Sequence, residues 1–322
     1  MYYLVQKNTS EYLCTKLKIA NFQALLSEVS THTIAVSPWQ DFKEITKMRL
    51  SISVVFSSVA GYFLGAEIID WGIVLLLSVG GYLMVGASNA YNQVLERDLD
   101  ALMDRTKNRP VASGRMSTTV AMAIAIAFTI LGLLTLFYIN PQTAMFGGIS
   151  IFMYVLLYTP LKTKTPLSVF VGAFPGAIPF MLGWVAATND FGIEPGTLFM
   201  IQFFWQFPHF WAIGWFLYDD YKKGGFFMLP TGKRDKGTAT QVILYTVWTI
   251  LISIIPAFGY TGNLFLSPAA AIIVGGLGLF MLYWAIKLYQ NRDAKTAKRL
   301  MLSSVTYITL LQIVFVVDKF LR

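Results

Sequence analysis

Apolar residues run along this chain in blocks longer than a soluble helix or strand needs, and the charges gather in the gaps between them. Crossing a bilayer core takes about 20 consecutive apolar residues in a helix. The stretches 50–66 and 71–95 each supply one crossing. The charge-free stretch 116–161 is double length, and Asn140-Pro141 near its middle marks a turn, so it reads as two. Stretches 165–189 and 195–218 give the fifth and sixth. The stretch 237–286 divides at 259–263 (GYTGN), and 300–317 is the last. The pattern predicts an all-α membrane protein of nine transmembrane helices, with residues 42–322 as one intramembrane domain.

Charge gives the arrangement a direction. Of 25 Lys and Arg, 23 fall before the first span or in the loops 2–3, 4–5, 6–7 and 8–9, leaving Lys319 and Arg322 at the far end. Basic loops stay cytoplasmic, so the N-terminus is expected inside and the C-terminus outside. Residues 1–41 hold no long apolar run and no cleavable-signal order; they read as a cytoplasmic extension that could carry an interfacial helix. They also lack the Arg-rich, acid-poor character of a transit peptide, which favours a bacterial plasma membrane over a mitochondrial inner membrane. The net charge of +8 follows from this topology and from attraction to anionic lipid, with no need for nucleic acid.

Composition excludes other classes. At 56% hydrophobic and 13% charged, the chain has too little polar surface for a soluble fold. One cysteine, Cys14, rules out a disulfide scaffold or a cysteine metal cluster, and two histidines, His32 and His209, are too few for a multi-histidine transition-metal site.

The 17 acidic residues are unevenly spread. In 92–110 (NQVLERDLDALMDRTKNRP), Asn92, Glu96, Asp100 and Asp104 recur every four residues, the spacing that places side chains along one helix face. Stacked carboxylates repel, so a cation is expected there. Oxygen-only donors suit a hard ion, and Mg²⁺ commonly bridges one or two carboxylates to substrate phosphates. Arg105, Lys107 and Arg109 follow at once and suit phosphate oxygens. The plainer reading is a solvated loop in which acids and bases pair.

A second cluster ends span six: 205–230 (WQFPHFWAIGWFLYDDYKKGGFFMLP) places Asp219 and Asp220 on the same side as the first cluster, followed by Lys222, Lys223 and Gly224-Gly225. The acids could hold a second Mg²⁺, and the glycines could bend the backbone over a ligand. His209 sits beside Pro208 within the span, where an ionisable residue is a functional suspect. Its plain reading is a packed histidine bonded to a carbonyl that the proline frees. Around it, Phe203, Phe204, Trp205, Phe207, Phe210, Trp211, Trp215 and Phe216 circle the helix; some must meet lipid.

At these residues the chain resembles the intramembrane UbiA prenyltransferase superfamily, and within it the protoheme IX farnesyltransferase (heme O synthase) branch. Asn92, Glu96 and Asp100 match the superfamily's Asn-x-x-x-Asp-x-x-x-Asp signature, with Glu where Asp is usual. The stretches 105–110 (RTKNRP), 158–162 (YTPLK), 171–179 (VGAFPGAIP) with Gly183-Trp184, 207–210 (FPHF) and 219–221 (DDY) resemble the heme branch, over residues 42–320 in all. The second superfamily signature, Asp-x-x-x-Asp, is incomplete, because Lys223 and Gly224 stand where its second Asp would fall.

The resemblance implies a UbiA-type bundle around a central cavity open to the cytoplasm, and Mg²⁺-dependent farnesyl transfer from farnesyl diphosphate to a vinyl group of heme b. Water adds as well, giving heme O, with a heme A synthase as downstream partner. Asn92, Glu96, Asp100, Asp219 and Asp220 become the expected metal residues of two Mg²⁺ sites, with Asp104 a weaker member. Arg105, Lys107, Arg109 and Lys162 become diphosphate contacts, and Tyr158 and His209 further substrate contacts, His209 reading equally well as a heme-iron ligand or as the packed histidine. Some aromatics of span six could then shield the allylic cation or lie against the porphyrin. Lys162 is also what the positive-inside bias alone would place in that loop.

Three rivals remain. A prenyltransferase of an aromatic or quinone precursor would share the metal site. A transporter would set its acids at mid-membrane in repeated halves. A heme scaffold would not need six carboxylates near donor phosphates.

Overall fold

The computed structural model describes residues 37–322, so the predicted extension 1–41 lies outside the described residues except for its last five positions. Every regular element among the described residues is helical. In chain order they are α1 (Pro38–Ile45), α2 (Met48–Gly65), α3 (Trp71–Leu95), α4 (Arg97–Leu102), α5 (Thr118–Ile139), α6 (Pro141–Phe152), α7 (Leu167–Thr188), α8 (Ile193–Phe216), α9 (Tyr218–Lys223), α10 (Lys236–Ile254), α11 (Pro268–Asn291) and α12 (Ala294–Leu321). After α6 the chain continues as a π-helical stretch, Met153–Tyr158, and a last turn, Thr159–Leu161.

Among the described residues, eight helices are long and apolar enough to cross a membrane. The predicted span missing from those eight is the sixth, α8, a helix of 24 residues. It is wrapped by α7, α10 and α12 and carries buried Gln202 and Gln206. A helix shielded from lipid by its neighbours does not need an oily surface of its own.

The helix ends follow local chemistry. Asp70, Ser117, Asn140, Asp235, Ser267 and Asp293 each accept a backbone N–H at the start of the following helix, a cap typically worth about 1 kcal/mol. Asn140-Pro141 divides the long apolar stretch as expected, the asparagine capping Thr143 N at 2.7 Å and the proline opening α6. Pro179, inside α7, leaves the Pro175 carbonyl without its helical partner, and Ser150 Oγ on α6 donates to that carbonyl. The 8–9 loop is shorter than predicted: α11 and α12 are separated by Arg292 and Asp293 alone. The apolar run ends at Ile286, whereas α11 continues to Asn291 and α12 opens on turns that carry Lys295, Lys298 and Arg299.

Each long helix packs on the next in a closed circuit, α2–α3–α5–α6–α7–α8–α10–α11–α12 and back to α2, with α2 also against α7 and α8 against α12. The α2–α7 contact is backbone to backbone. A Cβ placed on Gly61 would lie 2.0 Å from the Phe180 carbonyl oxygen, and one on Gly183 would lie 1.8 Å from that of Ser58. Small residues permit this approach in membrane bundles, where dispersion forces take over from the hydrophobic effect. The N-terminus of α2 and the segments that follow α3 and α8 lie at one end of the bundle, where the site forms.

Candidate functional site

The backbone carries the four-residue spacing across the end of α3. Glu96 leaves helical geometry, yet its N–H still bonds Asn92 O at 2.9 Å and the Asp100 N–H bonds Glu96 O at 2.7 Å. Asn92, Glu96 and Asp100 therefore keep one face and are 2%, 4% and 1% exposed. Past Asp100 the chain turns, Met103 N bonding Asp100 O, and the face is lost. The Asp104 side chain is 64% exposed and pairs with Lys107 at 2.9 Å and with Lys223. Hydrogen bonds from those two lysines pull its carboxyl down to about 2. The expectation that four residues line one face thus holds for three.

Each buried carboxylate meets a cation. Lys162 Nζ donates to Glu96 Oε1 at 2.7 Å, and Arg109 Nη1 contacts both Asp100 oxygens at 2.9 and 2.7 Å. Asp100 sits outside the spans; burial pushes its carboxyl up from the usual range, and Arg109 opposes that shift. Asn92 Nδ2 reaches Thr159 Oγ1 at 3.5 Å. The Lys162 ammonium also lies over the rings of Tyr158, at 4.5 Å, and Phe226, at 5.7 Å, so Tyr158 joins the centre through a cation–π contact.

The second cluster reaches the first through Asp220. Its carboxylate accepts the backbone N–H of Asp104 at 2.8 Å and of Arg105 at 3.3 Å. Asp219, its neighbour in sequence, turns outward and pairs with Arg234. The Arg105 guanidinium lies 5.7 Å from the centre of the Tyr221 ring. Asp104, Arg105, Phe216, Leu217, Asp219, Asp220 and Lys223 line a cavity of about 380 Å³. The two glycines serve the backbone: Gly225 has φ +69°, and the bonds Gly225 N to Lys222 O and Phe226 N to Tyr221 O end α9 in a Schellman turn. The Phe227 N–H then donates to Lys162 O at 2.8 Å, tying the 6–7 loop to the 4–5 loop.

Lys47 belongs to this centre and was counted above only as a topology charge. It occupies the left-handed region at φ 45° just ahead of α2, which costs an L-residue roughly 1–2 kcal/mol. The loop is held in place: Gln93 Nε2 donates to Glu44 O at 3.0 Å and Ile45 O at 3.4 Å, Thr46 Oγ1 donates to Phe42 O, and Ser51 Oγ donates to Thr46 O. Desolvation and the positive charges of Arg109, Lys162 and Arg105 push the Lys47 ammonium down to about 7, with Glu96 opposing. A positive-φ lysine has no signature in a single sequence.

Among the described residues, no three His, Cys, Asp or Glu side chains converge closely enough to hold a metal ion by themselves. The donors still fit Mg²⁺, which takes one or two protein carboxylates and completes its shell with water and phosphate oxygens. Asn92 and Glu96 are buried residues, and among the described residues their Oδ1 and Oε2 atoms have no hydrogen-bond partner.

His209 bonds Ser304 on α12 through Nδ1 at 2.9 Å and so is not tied to a carbonyl freed by Pro208. Of the aromatics on α8, Phe203, Trp205, Phe207, Trp211 and Trp215 are buried, while Phe204, Phe210 and Phe216 are partly buried against the same core.

Fold and site define a multi-pass membrane protein with a buried ionic centre at one end of its bundle. The chain belongs to the UbiA prenyltransferase family, whose profile matches residues 54–310. It is 72% identical over 297 residues to a protoheme IX farnesyltransferase of Christiangramia forsetii, covering 92% of this chain and 99% of that one. It is 67% identical to the protein of that name in Flavobacterium psychrophilum, covering 92% and 100%. Among solved structures it resembles one described for digeranylgeranylglyceryl phosphate synthase in membranes (TM-score 0.72, 17% identity, 87% of this chain and 98% of that one). It also resembles a UbiA homologue from Archaeoglobus fulgidus bound to GPP and Mg²⁺ (TM-score 0.63, 15% identity, 85% and 99%).

Proposed function

We infer that this chain transfers the farnesyl group of farnesyl diphosphate to a vinyl group of heme b, with addition of water, giving heme O and releasing diphosphate. The observation that carries the reading is the near full-length, 72% identity to a protoheme IX farnesyltransferase. The buried centre around Glu96 and Asp100 supplies the chemistry. An allylic diphosphate ionises readily because its cation is delocalised, so the barrier falls with the charge placed against the departing oxygens.

Without substrate, the residues neutralise one another: Glu96 is held by Lys162 and Asp100 by Arg109. When the diphosphate enters, Lys162 and Arg109 turn to its oxygens, joined by Lys47 and Arg105. Glu96, Asp100 and the Asn92 amide oxygen would hold Mg²⁺, with Asp220 the nearest candidate from the second cluster. Mg²⁺, when bound, serves as a Lewis acid toward the leaving group. Tyr158 and Phe226, already over the Lys162 ammonium, offer ring faces beside the reacting carbon. Asp104, Asp219 and Lys107 stand at the outer rim. The site opens on the cytoplasmic side of a bacterial plasma membrane, following the placement of Lys and Arg.

The purified protein in detergent tests this reading when heme b with farnesyl diphosphate is set against 4-hydroxybenzoate with longer prenyl diphosphates. Conversion of heme b alone is expected; conversion of the aromatic acid instead would move the chain to another branch of its family.

A further inference from the structure

One polar side chain within the bundle is left without a task by the diphosphate chemistry. The Ser304 hydroxyl donates its single hydrogen to Met301 O at 2.7 Å, so toward His209 Nδ1, 2.9 Å away, it accepts. The imidazole proton therefore sits on Nδ1, and Nε2 presents a lone pair. Among the described residues Nε2 has no partner. The ring is fixed from a second side: Trp205 stacks on it at 4.8 Å with 20° between planes, and the Trp205 indole N–H donates to Ser304 O at 2.7 Å. Ser304 thus orients both rings at once.

A neutral imidazole with one nitrogen tied to an oxygen and the other bare is how histidines are held when they ligate a metal. Its place on α8 matches that use. Trp205, His209 and Phe216 are spaced by four and seven, one face of a helix, and Phe216 lines the charged cavity. Seven residues put the imidazole about 10 Å along the helix from that wall, a distance that a porphyrin lying across the axial bond can bridge.

We propose that His209 Nε2 is an axial ligand to the iron of the acceptor heme, with Ser304 and Trp205 as positioning residues that set its tautomer and orientation. The ligand aims a vinyl edge toward the diphosphate centre. This assignment rests on heme b being the acceptor.

The test titrates ferric heme b into the full-length protein in detergent and records Soret, visible and EPR spectra. Wild type is expected to show a histidine-ligated spectrum; His209→Ala should lose it and regain it with millimolar imidazole, while Ser304→Ala should bind heme about 10- to 100-fold more weakly. Pyrophosphate binding with Mg²⁺ checks that each variant is folded. Should His209→Ala fail to fold, pulsed EPR of protein labelled with ¹⁵N-histidine decides. The chain has two histidines, so an iron-coupled histidine nitrogen that survives His32→Ala belongs to His209, and its absence overturns the proposal. Identical spectra for wild type and His209→Ala, in a protein that converts heme b, overturn the ligand and leave the acceptor reading standing. An unchanged heme affinity in Ser304→Ala overturns the positioning role. A wild type that neither binds nor converts heme b removes both the acceptor reading and the proposal.

Discussion

Replacing Lys162 by methionine keeps most of the side-chain volume and strips the cation from a carboxylate with little access to water. Lys162 Nζ and Glu96 Oε1 lie 2.7 Å apart, and both side chains are under a tenth exposed. Leaving one member of a buried pair uncompensated costs about 3–5 kcal/mol. Lys162→Met should therefore lose stability on that order, and so should Glu96→Gln, which strands the ammonium instead. The double variant Glu96→Gln/Lys162→Met removes both charges and should recover most of the loss. The coupling energy, the two single losses together less the loss of the double, should then exceed about 5 kcal/mol, above the usual range for contacting residues. Activity should behave differently: each single variant and the double should all fall by about 10²–10³ in kcat, the usual effect of removing a charge-stabilising group. Denaturation followed by tryptophan fluorescence gives the stabilities, and product formation from farnesyl diphosphate gives the rates. A double variant that regained activity along with stability would show the pair to be structural, and the exchange of partners on substrate binding would be refuted.

Neighbouring acids should respond unequally. Asp220→Asn weakens bonds to two backbone N–H groups and should cut turnover at least tenfold, whereas Asp219→Asn and Asp104→Asn, both at the rim, should change it less than threefold; steady-state rates check the contrast. Lys47 predicts proton uptake. With the ammonium held down to about 7 in the free protein against 10.5 ordinarily, it is mostly neutral at pH 8–9 and must be charged to meet diphosphate. Pyrophosphate affinity should therefore fall as pH rises above about 7, and Lys47→Met should flatten that dependence; calorimetry in buffers of different ionisation enthalpy measures the proton. The same sign makes the free protein gain stability as pH rises from about 7 toward 10.5, because the unfolded chain binds the extra proton in that window. Gly183→Ala drives a Cβ into the Ser58 carbonyl and should destabilise by roughly 1–3 kcal/mol as an overpacked contact, read as a lowered denaturation midpoint.

Much of the fold was legible because lipid demands uninterrupted apolar stretches. The predicted span 71–95 coincides with α3, and Asn140-Pro141 divides α5 from α6 where a cap and a proline must. The core of the site was legible because a four-residue spacing survives the break at Glu96 through continuous backbone bonds. What escaped depends on the third dimension. Asp104 keeps the spacing but leaves the face, since the chain turns after Asp100. Asp219 and Asp220 are adjacent in sequence yet point apart, one to Arg234 and the other to the Asp104 and Arg105 backbone. Lys47 enters the centre through a left-handed loop anchored by Gln93. The extra turns of α11 and α12 carry Lys287, Lys295, Lys298 and Arg299, and hydropathy does not report charged turns as helix.

The most direct test of the central claim is the yield of heme O from heme b and farnesyl diphosphate as Mg²⁺ is titrated into the purified protein, beside Asp100→Ala measured the same way. Yield that rises from nothing with Mg²⁺ in the wild type, and stays at nothing in a folded Asp100→Ala, is the predicted result. Undiminished conversion in chelator, or by Asp100→Ala, would contradict it.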